Sequence, residues 1–555
     1  MNRKKLLASL LATAMAFSAV GCGSTGNNKA DSKSDNAKQS TEQSTSASGS
    51  ESAAQEETVA DAGFYPIAGG GKLTWWVSLN SNVSSNFTSM EDTEFAKALT
   101  EQTGVEIDYI HPATGQEGET FNLMVADGEF PDLLEYNFNT YAGGPTKAIE
   151  DGVIIPLNDV IDKYCPNLKA FLAENPDIDN AVKTDDGIYY CFPCAMDQAD
   201  LAVTRGLCLR EDWLKELNME VPESIEEWYE VLTAFKNEMG AESPLCVSWS
   251  DLSGSTLANA FGVAAKEWYI DSEGKVVYGA VTDEYKNFLI TMKQWYAEGL
   301  LDVDMASLKS DNVTSKMING NGGASFAWAG SGMQSWILAA TETNPDYMLV
   351  AAPVPSYNGV DPIAGYGGFR FKTAGCVSIS SDCENVELAA RLLDYGYSEE
   401  GRLLYNYGVE GVSYEMIDGV ATYTDEVLNN PDGLSITHAI AKYARSCYQG
   451  PFVQELNYYT QYLQVPSVKE APSIWTVDTT LDHMYPSAST TPEESDELSK
   501  ISDELWTYMS EMILKFVLGT KSFDEWDQYV EDMESLGLNR AIEIKEAALE
   551  RYNAR

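Results

Sequence analysis

The sequence predicts an α/β protein of at least two lobes. Three observations carry that expectation. The chain has 555 residues, and the roughly 490 that follow its first sixty-odd are too many for one hydrophobic core. Its composition is globular, 44% hydrophobic and 11% aromatic, with 12 Trp and 30 Tyr. Near the start of the body, strand and helix patterns alternate, as in a lobe built on a largely parallel sheet.

Leu73-Thr74-Trp75-Trp76-Val77 is a run of β-branched and aromatic residues that reads as a buried strand, and Ser78 to Asn82 is a mostly polar loop after it. Asp92 to Thr103 reads as a helix with Asp92 as N-cap and Gly104 as its stop. Val105, Ile107 and Tyr109 alternate with polar residues as a second strand, Phe121 to Asp127 is helical, Gly128 to Pro131 turns, and Asp132 to Tyr136 is a third strand. Farther on, Ser224-Ile225-Glu226-Glu227 fits a capping box, with Ile225, Trp228, Tyr229, Leu232 and Phe235 behind it at helical spacing. Thr282 starts another helix that stops before Gly299, and Ser522-Phe523-Asp524-Glu525 repeats the box. These aromatic stripes read as core faces. There is no internal repeat.

The N-terminus predicts export. Asn2, Arg3, Lys4 and Lys5 give a positive start, and Leu6 to Val20 is an apolar run of about fifteen residues, short for a membrane span. Ala19-Val20-Gly21-Cys22 resembles the lipobox of bacterial lipoproteins, in which the thiol is diacylated and the signal is cut before it; Ala19 stands where Leu is commoner. Residues 23–62 are mostly Ser, Thr, Gln, Glu, Ala, Asn and Lys, a composition expected to form a disordered linker. The body is then 63–555, and no later stretch has the length and apolarity of a membrane span.

With 85 Asp and Glu against 36 Lys and Arg, the net charge is −49. Such a body repels phosphate backbones and anionic membranes and disfavours polyanionic ligands, whereas a neutral ligand is indifferent to the charge. Enzyme motifs are not found. His111, His438 and His483 are scattered without zinc-hydrolase spacing, and no GxSxG elbow occurs. Gly69-Gly70-Gly71-Lys72 is spelled like a phosphate loop, but Leu73 replaces the needed hydroxyl and the glycines precede the strand. Asp177-Ile178-Asp179 and Asp271-Ser272-Glu273-Gly274 are incomplete calcium-loop fragments, so no cofactor is expected and a structural calcium has only this weak support. Cys191-Phe192-Pro193-Cys194 is an isolated CxxC, and with Cys165, Cys208, Cys246, Cys376, Cys383 and Cys447 it reads as ordinary buried or paired cysteines.

Several segments resemble one family. Gly128-Glu129-Phe130-Pro131-Asp132, Asp151-Gly152-Val153-Ile154-Ile155-Pro156-Leu157 with Tyr164-Cys165-Pro166-Asn167, Gly187-Ile188-Tyr189-Tyr190 with Pro193, and Arg210-Glu211-Asp212-Trp213-Leu214 with Val221-Pro222 and Glu227-Trp228 are similar to bacterial extracellular solute-binding proteins of ABC transporters. Gly408 to Glu415, Lys515 to Gly519, Asp524 to Val530 and Arg551-Tyr552 look like the large sugar-binding lipoproteins related to alginate-binding proteins. The resemblance runs from about residue 73 to 552, and its strength lies in the order of the segments. It implies a two-lobe periplasmic-binding-protein-like fold of class II type, with a hinge, a central ligand cleft and closure by hinge bending. It also implies permease subunits as partners, a monomer held to the membrane only by its anchor, and no catalysis. The expected lobes are roughly 63–190 plus a central segment, and roughly 195–320 plus much of 380–555.

A sugar presents apolar CH faces and many hydroxyls, so its site combines aromatic platforms with planar polar groups at strand ends and in the loops after them. That rule selects Trp75 or Trp76 and Asn80 after the first strand, and Glu135 and Tyr136 after the third; alternation sends only one of the two Trp residues to the cleft. Trp249 and Trp328 lie among polar or small residues, Tyr366 and Arg370 in a Gly-rich loop, Glu410 and Tyr414 in the segment from Gly408, and Trp475 after Pro472. The expected function is capture of a neutral oligosaccharide for an ABC importer; the alternatives are a secreted glycoside-active enzyme and a peptide-binding or sensor lipoprotein.

Overall fold

The computed structural model describes residues 62–555. The expected signal peptide, Cys22 and all but the last residue of the linker lie outside the described residues. Fourteen strands run through the described chain: β1 (Gly71–Trp76), β2 (Val105–Ile110), β3 (Leu133–Glu135), β4 (Phe192–Met196), β5 (Arg205–Arg210), β6 (Ser243–Leu245) and β7 (Trp268–Ile270). The others are β8 (Val276–Tyr278), β9 (Gly322–Trp328), β10 (Leu349–Ala351), β11 (Phe371–Ile379), β12 (Tyr414–Ile417), β13 (Val420–Tyr423) and β14 (Val453–Gln454).

The first lobe is built on a six-stranded sheet in the order β14-β4-β11-β3-β1-β2. β1 pairs in parallel with β2 and β3, as the alternating pattern predicts. β11, which arrives from more than two hundred residues downstream, is antiparallel to both β3 and β4 and makes the sheet mixed. The second lobe holds a four-stranded sheet, β10-β5-β9-β6, in which only the β6–β9 pair is parallel. Its hydrophobic core is closed by the helices Ile225–Asn237, Asp283–Ala297, Pro492–Val517 and Leu538–Asn553.

Local signals explain most boundaries. The first long helix, Glu94–Thr103, is capped by the Thr93 hydroxyl, which accepts from Ala96 N at 3.1 Å; the expected cap, Asp92, sits in the preceding 3₁₀ turn. Gly104 ends the helix at φ 74°, a conformation that costs a glycine little. Ser224 caps its helix through Glu227 N, but the Glu227 carboxylate accepts from Glu223 N, one residue earlier than a regular box. Ser522 does form the full reciprocal box, ahead of a short 3₁₀ turn.

β11 and β14 bring both ends of 371–454 into the first sheet, while Tyr414, Tyr423 and Tyr443 between them pack in a third cluster. The expected boundary gave much of 380–555 to the second lobe; the pairing that draws β11 and β14 into the first sheet is long-range and leaves no mark in local periodicity. The chain therefore crosses between lobes three times, after β4, after β10 and after β14. This third hydrophobic cluster gathers at these crossings and includes Met196, Leu201, Cys208, Tyr407, Tyr458 and Trp475. Cys165, Cys191, Cys194, Cys208, Cys246, Cys376, Cys383 and Cys447 are all free thiols, seven of them buried. Among the described residues, no helix is long and apolar enough to cross a membrane, and no group of three His, Cys, Asp or Glu is set to hold a metal ion.

Candidate ligand-binding site

Arg205 opens β5 immediately after the first crossing, and the antiparallel register sets it opposite Trp328 at the far end of β9. This end of the second sheet adjoins the first crossing between the lobes. Trp328 is one of two described Trp residues with a broadly open ring, 43% exposed. The Arg205 guanidinium lies 5.4 Å from the Trp328 ring and 4.5 Å from that of Phe326, and its Nη2 is 2.7 Å from Asp251 Oδ1. Asp251 is oriented by Ser248, whose hydroxyl donates to Oδ2 at 2.9 Å. Tyr366 meets Trp328 edge-on at 5.8 Å and Phe326 at 6.0 Å. The Gly-rich loop carrying Tyr366 is fixed where Gly365 N donates to Thr480 Oγ1 at 3.0 Å.

Three hollows follow one another along this side of the molecule. A pocket of about 160 Å³ lies against Trp328, Arg205, Asp251 and Trp336. A second, of about 460 Å³, is walled by Tyr366, Trp268, Thr480 and Tyr485. The third, of about 740 Å³, lies between Asn122, Asn139, Thr140 and Thr373 of the first lobe and Tyr485, Ser489, Ser495 and Lys545 of the second. Tyr485 lines the second and third, and Tyr366 walls the second while touching Trp328 in the first. The largest has the size usual for ligand sites.

The lobes are also tied at the rim. Asp185 of the first lobe pairs at 2.9 Å with Arg551, on the C-terminal helix of the second, and at 2.6 Å with Arg555, just past its end. Arg551 reaches Glu494 as well, and Gly143 N donates to Ser495 Oγ at 3.1 Å.

The structure brings Trp328 and Tyr366 together, with Trp249 two residues before Asp251 on the same short helix, Trp249–Leu252. Trp249 is nearly buried, 8% exposed, and packs in the second core instead of standing open. Trp75 and Trp76 are both interior. Arg445 covers Trp75, whose ring also stacks on Tyr109, and Phe121 and Tyr136 cover Trp76, so neither faces the cleft as expected. Glu135 is buried and accepts from Arg445 Nη2 at 2.7 Å; burial raises its pKa against the pull of that guanidinium. The Tyr136 ring lies flat on Phe121 at 3.7 Å. Asn80 caps the short helix Ser81–Ser84 by accepting from Asn82 N.

Arg370 has its donors engaged by Asp177, Asn175 and the Asp197 carbonyl, which makes it an internal tie at a crossing. Trp475 is buried over Gly206, where a Cβ would fall inside the indole, and its Nε1 donates to Leu207 O at 2.9 Å. Glu410 and Tyr414 line a separate hollow beside Gly63, Phe64 and Tyr395. Sequence reasoning missed Arg205, Asp251 and Lys545. Asp251 could have been found from Ser248 three residues before it, an N-cap spelling; Arg205 and Lys545 carry no local signal.

Residues 88–403 match the family model for bacterial extracellular solute-binding protein. The chain is 25% identical over 482 residues to a fructooligosaccharide ABC transporter substrate-binding protein, FusA, of Streptococcus pneumoniae serotype 4, covering 82% of this chain and 86% of that one. It is 26% identical over 378 residues to the lipoprotein LipO of Bacillus subtilis, covering 63% and 69%. The crystal structure of the alginate-binding protein AlgQ2 without calcium ion superimposes with a TM-score of 0.69 at 26% identity, over 87% of this chain and 98% of that one. A two-lobe fold with a polar, aromatic interlobe cleft and a family match over more than half its length agree: the chain belongs to the bacterial extracellular solute-binding proteins, binding proteins and not enzymes.

Proposed function

We propose that the protein captures an oligosaccharide in the interlobe cleft and delivers it to the permease subunits of an ABC importer. The observation that carries the reading is the exposed Trp328 ring beside the Arg205–Asp251 pair: a platform for a sugar's CH face next to paired donors and acceptors for its hydroxyls. The succession of three hollows supports a ligand of several units over a single sugar. The names of FusA and AlgQ2 point the same way. In this reading Trp328, Tyr366, Arg205 and Asp251 contact the ligand, Trp249 backs Asp251, and Glu135, Tyr136, Trp76 and Trp475 hold the walls. Cys22 is the lipid anchor that keeps the body at the outer face of the membrane.

A thermal-shift screen against oligosaccharides, amino acids and short peptides tests it. A ligand at about a hundredfold its Kd adds about 2.7 kcal/mol to stability. A shift with a glycan that is recovered intact supports capture; a shift with peptides alone refutes the carbohydrate reading. Changing Cys22 to Ala is expected to release the protein into the medium, and retention in the membrane fraction refutes the anchor.

A further inference from the structure

The large interlobe hollow inverts the charge of the molecule around it. The whole chain carries 85 acidic against 36 basic residues. The lining of the 740 Å³ hollow holds Lys500 and Lys545 against a single acid, Asp496, and is otherwise dominated by Ser, Thr and Asn. Lys545 is the unusual member. Its ammonium stands 4.5 Å from the Tyr485 ring and 5.8 Å from the Trp268 ring, and among the described residues no carboxylate lies within ion-pair distance. Its backbone carbonyl accepts from Tyr485 Oη at 2.8 Å, which fixes the ring beside the amine.

Aromatic faces favour a cation but do not satisfy its hydrogen bonds. A half-buried ammonium without an anion costs free energy that a bound carboxylate would offset. Burial pushes the Lys545 amine down to about 8, in keeping with a water-poor position. Side chains able to donate to an anion line the same hollow from both lobes: Asn122, Asn139 and Thr373 from one, Ser489 and Ser495 from the other.

We propose that Lys545 selects an oligosaccharide carrying an acidic sugar, its carboxylate seated in the large hollow while the uncharged units extend towards Tyr366 and Trp328. This deepens the capture reading and rests on it. The overall charge still disfavours a polyanion with an acid on every unit. A single carboxylate meets a local lining of the opposite sign.

The test is calorimetric titration of the whole protein with matched pairs of glycans that differ in one acid group. Suitable pairs are glucuronic-acid-substituted xylo-oligosaccharides against xylo-oligosaccharides, sialyllactose against lactose, and galacturonic-acid-terminated against galactose-terminated galacto-oligosaccharides. For the backbone that binds, the acidic member is expected to bind at least tenfold more tightly. Lys545→Met is expected to erase that preference, so that the acidic and neutral members bind it alike, and Lys545→Arg to restore most of it. Should Lys545→Met unfold, Lys545→Arg and the wild-type pair comparison decide alone. Neutral members binding as tightly as their acidic partners in every pair overturn the inference and leave oligosaccharide capture standing. No binding by any glycan in the panel overturns both.

Discussion

Replacing Trp328 with Ala separates binding from folding better than any other substitution in the cleft. The side chain is 43% exposed, which for an aromatic of about 250 Å² leaves about 100 Å² open to a ligand. At about 25 cal/mol per Å², covering most of that area with a sugar ring contributes about 2 kcal/mol, or roughly thirtyfold in Kd. The buried part of the ring touches Tyr366 and the Arg205 guanidinium, and Arg205 keeps both Phe326 and Asp251. The covered remainder of the ring, about 140 Å², is worth up to about 3.5 kcal/mol by the same coefficient, so the variant is expected to lose stability yet remain folded, and its affinity is read under conditions where it is folded. Calorimetric titration of wild type and Trp328→Ala with the glycan found in the thermal-shift screen, beside urea unfolding of both, gives the two numbers. An affinity unchanged within twofold in a folded variant refutes Trp328 as the platform. A variant that no longer folds refutes the separation argued here.

Trp475→Ala is the converse case: the ring is buried over Gly206, so urea unfolding should show a loss of about 3–5 kcal/mol. Arg445→Met strands the buried Glu135 carboxylate and should cost about 3–5 kcal/mol, whereas the double change with Glu135→Gln should recover part of it in a double-mutant cycle. Asp185→Asn removes the carboxylate shared by Arg551 and Arg555; small-angle scattering should show an expanded ligand-free molecule, and calorimetry a weaker ligand, because less of the population is closed. The folded Lys545 amine, at about 8, lies below the ordinary lysine value of about 10.4. Between those values the unfolded chain holds a proton on this lysine that the folded chain has released, so the Lys545 contribution to ligand-free stability rises from about pH 8 to pH 10. Buried thiols such as Cys208 and Cys447, pushed upwards by burial, pull the other way, so the Lys545 contribution is read as the wild-type minus Lys545→Met difference in urea midpoint, which should rise across that window.

What the sequence made legible follows the range of the interactions involved. Strand and helix identity in the first lobe depends on neighbours within a turn or two, and β1, β2, β3 and the helix after Ser224 appear where the pattern expects them. The lobe boundary was not legible, because β11 joins the first sheet by pairing with strands that precede it by far. Trp328 and Tyr366 were selected from their polar and small-residue contexts, which are local, and the fold sets the two rings edge to face. Trp75, Trp76 and Trp475 fit the same rule, yet their coverage comes from Arg445, Tyr136 and β5, none of them adjacent in sequence. The same blindness hid Arg205, whose role exists only because the register of β5 on β9 lays it beside Trp328. Arg370 looked available for hydroxyls for the same reason: its partners Asp177 and Asn175 lie nearly two hundred residues away.

The central claim is stoichiometric capture without turnover in the interlobe cleft. It is tested most directly by titrating the purified protein with the glycan and analysing the sugar released on denaturation. The account predicts saturation at one glycan per chain, loss of affinity in Trp328→Ala, and a glycan of unchanged length. A shortened glycan, or saturable binding that Trp328 and Arg205 substitutions leave untouched, would contradict it.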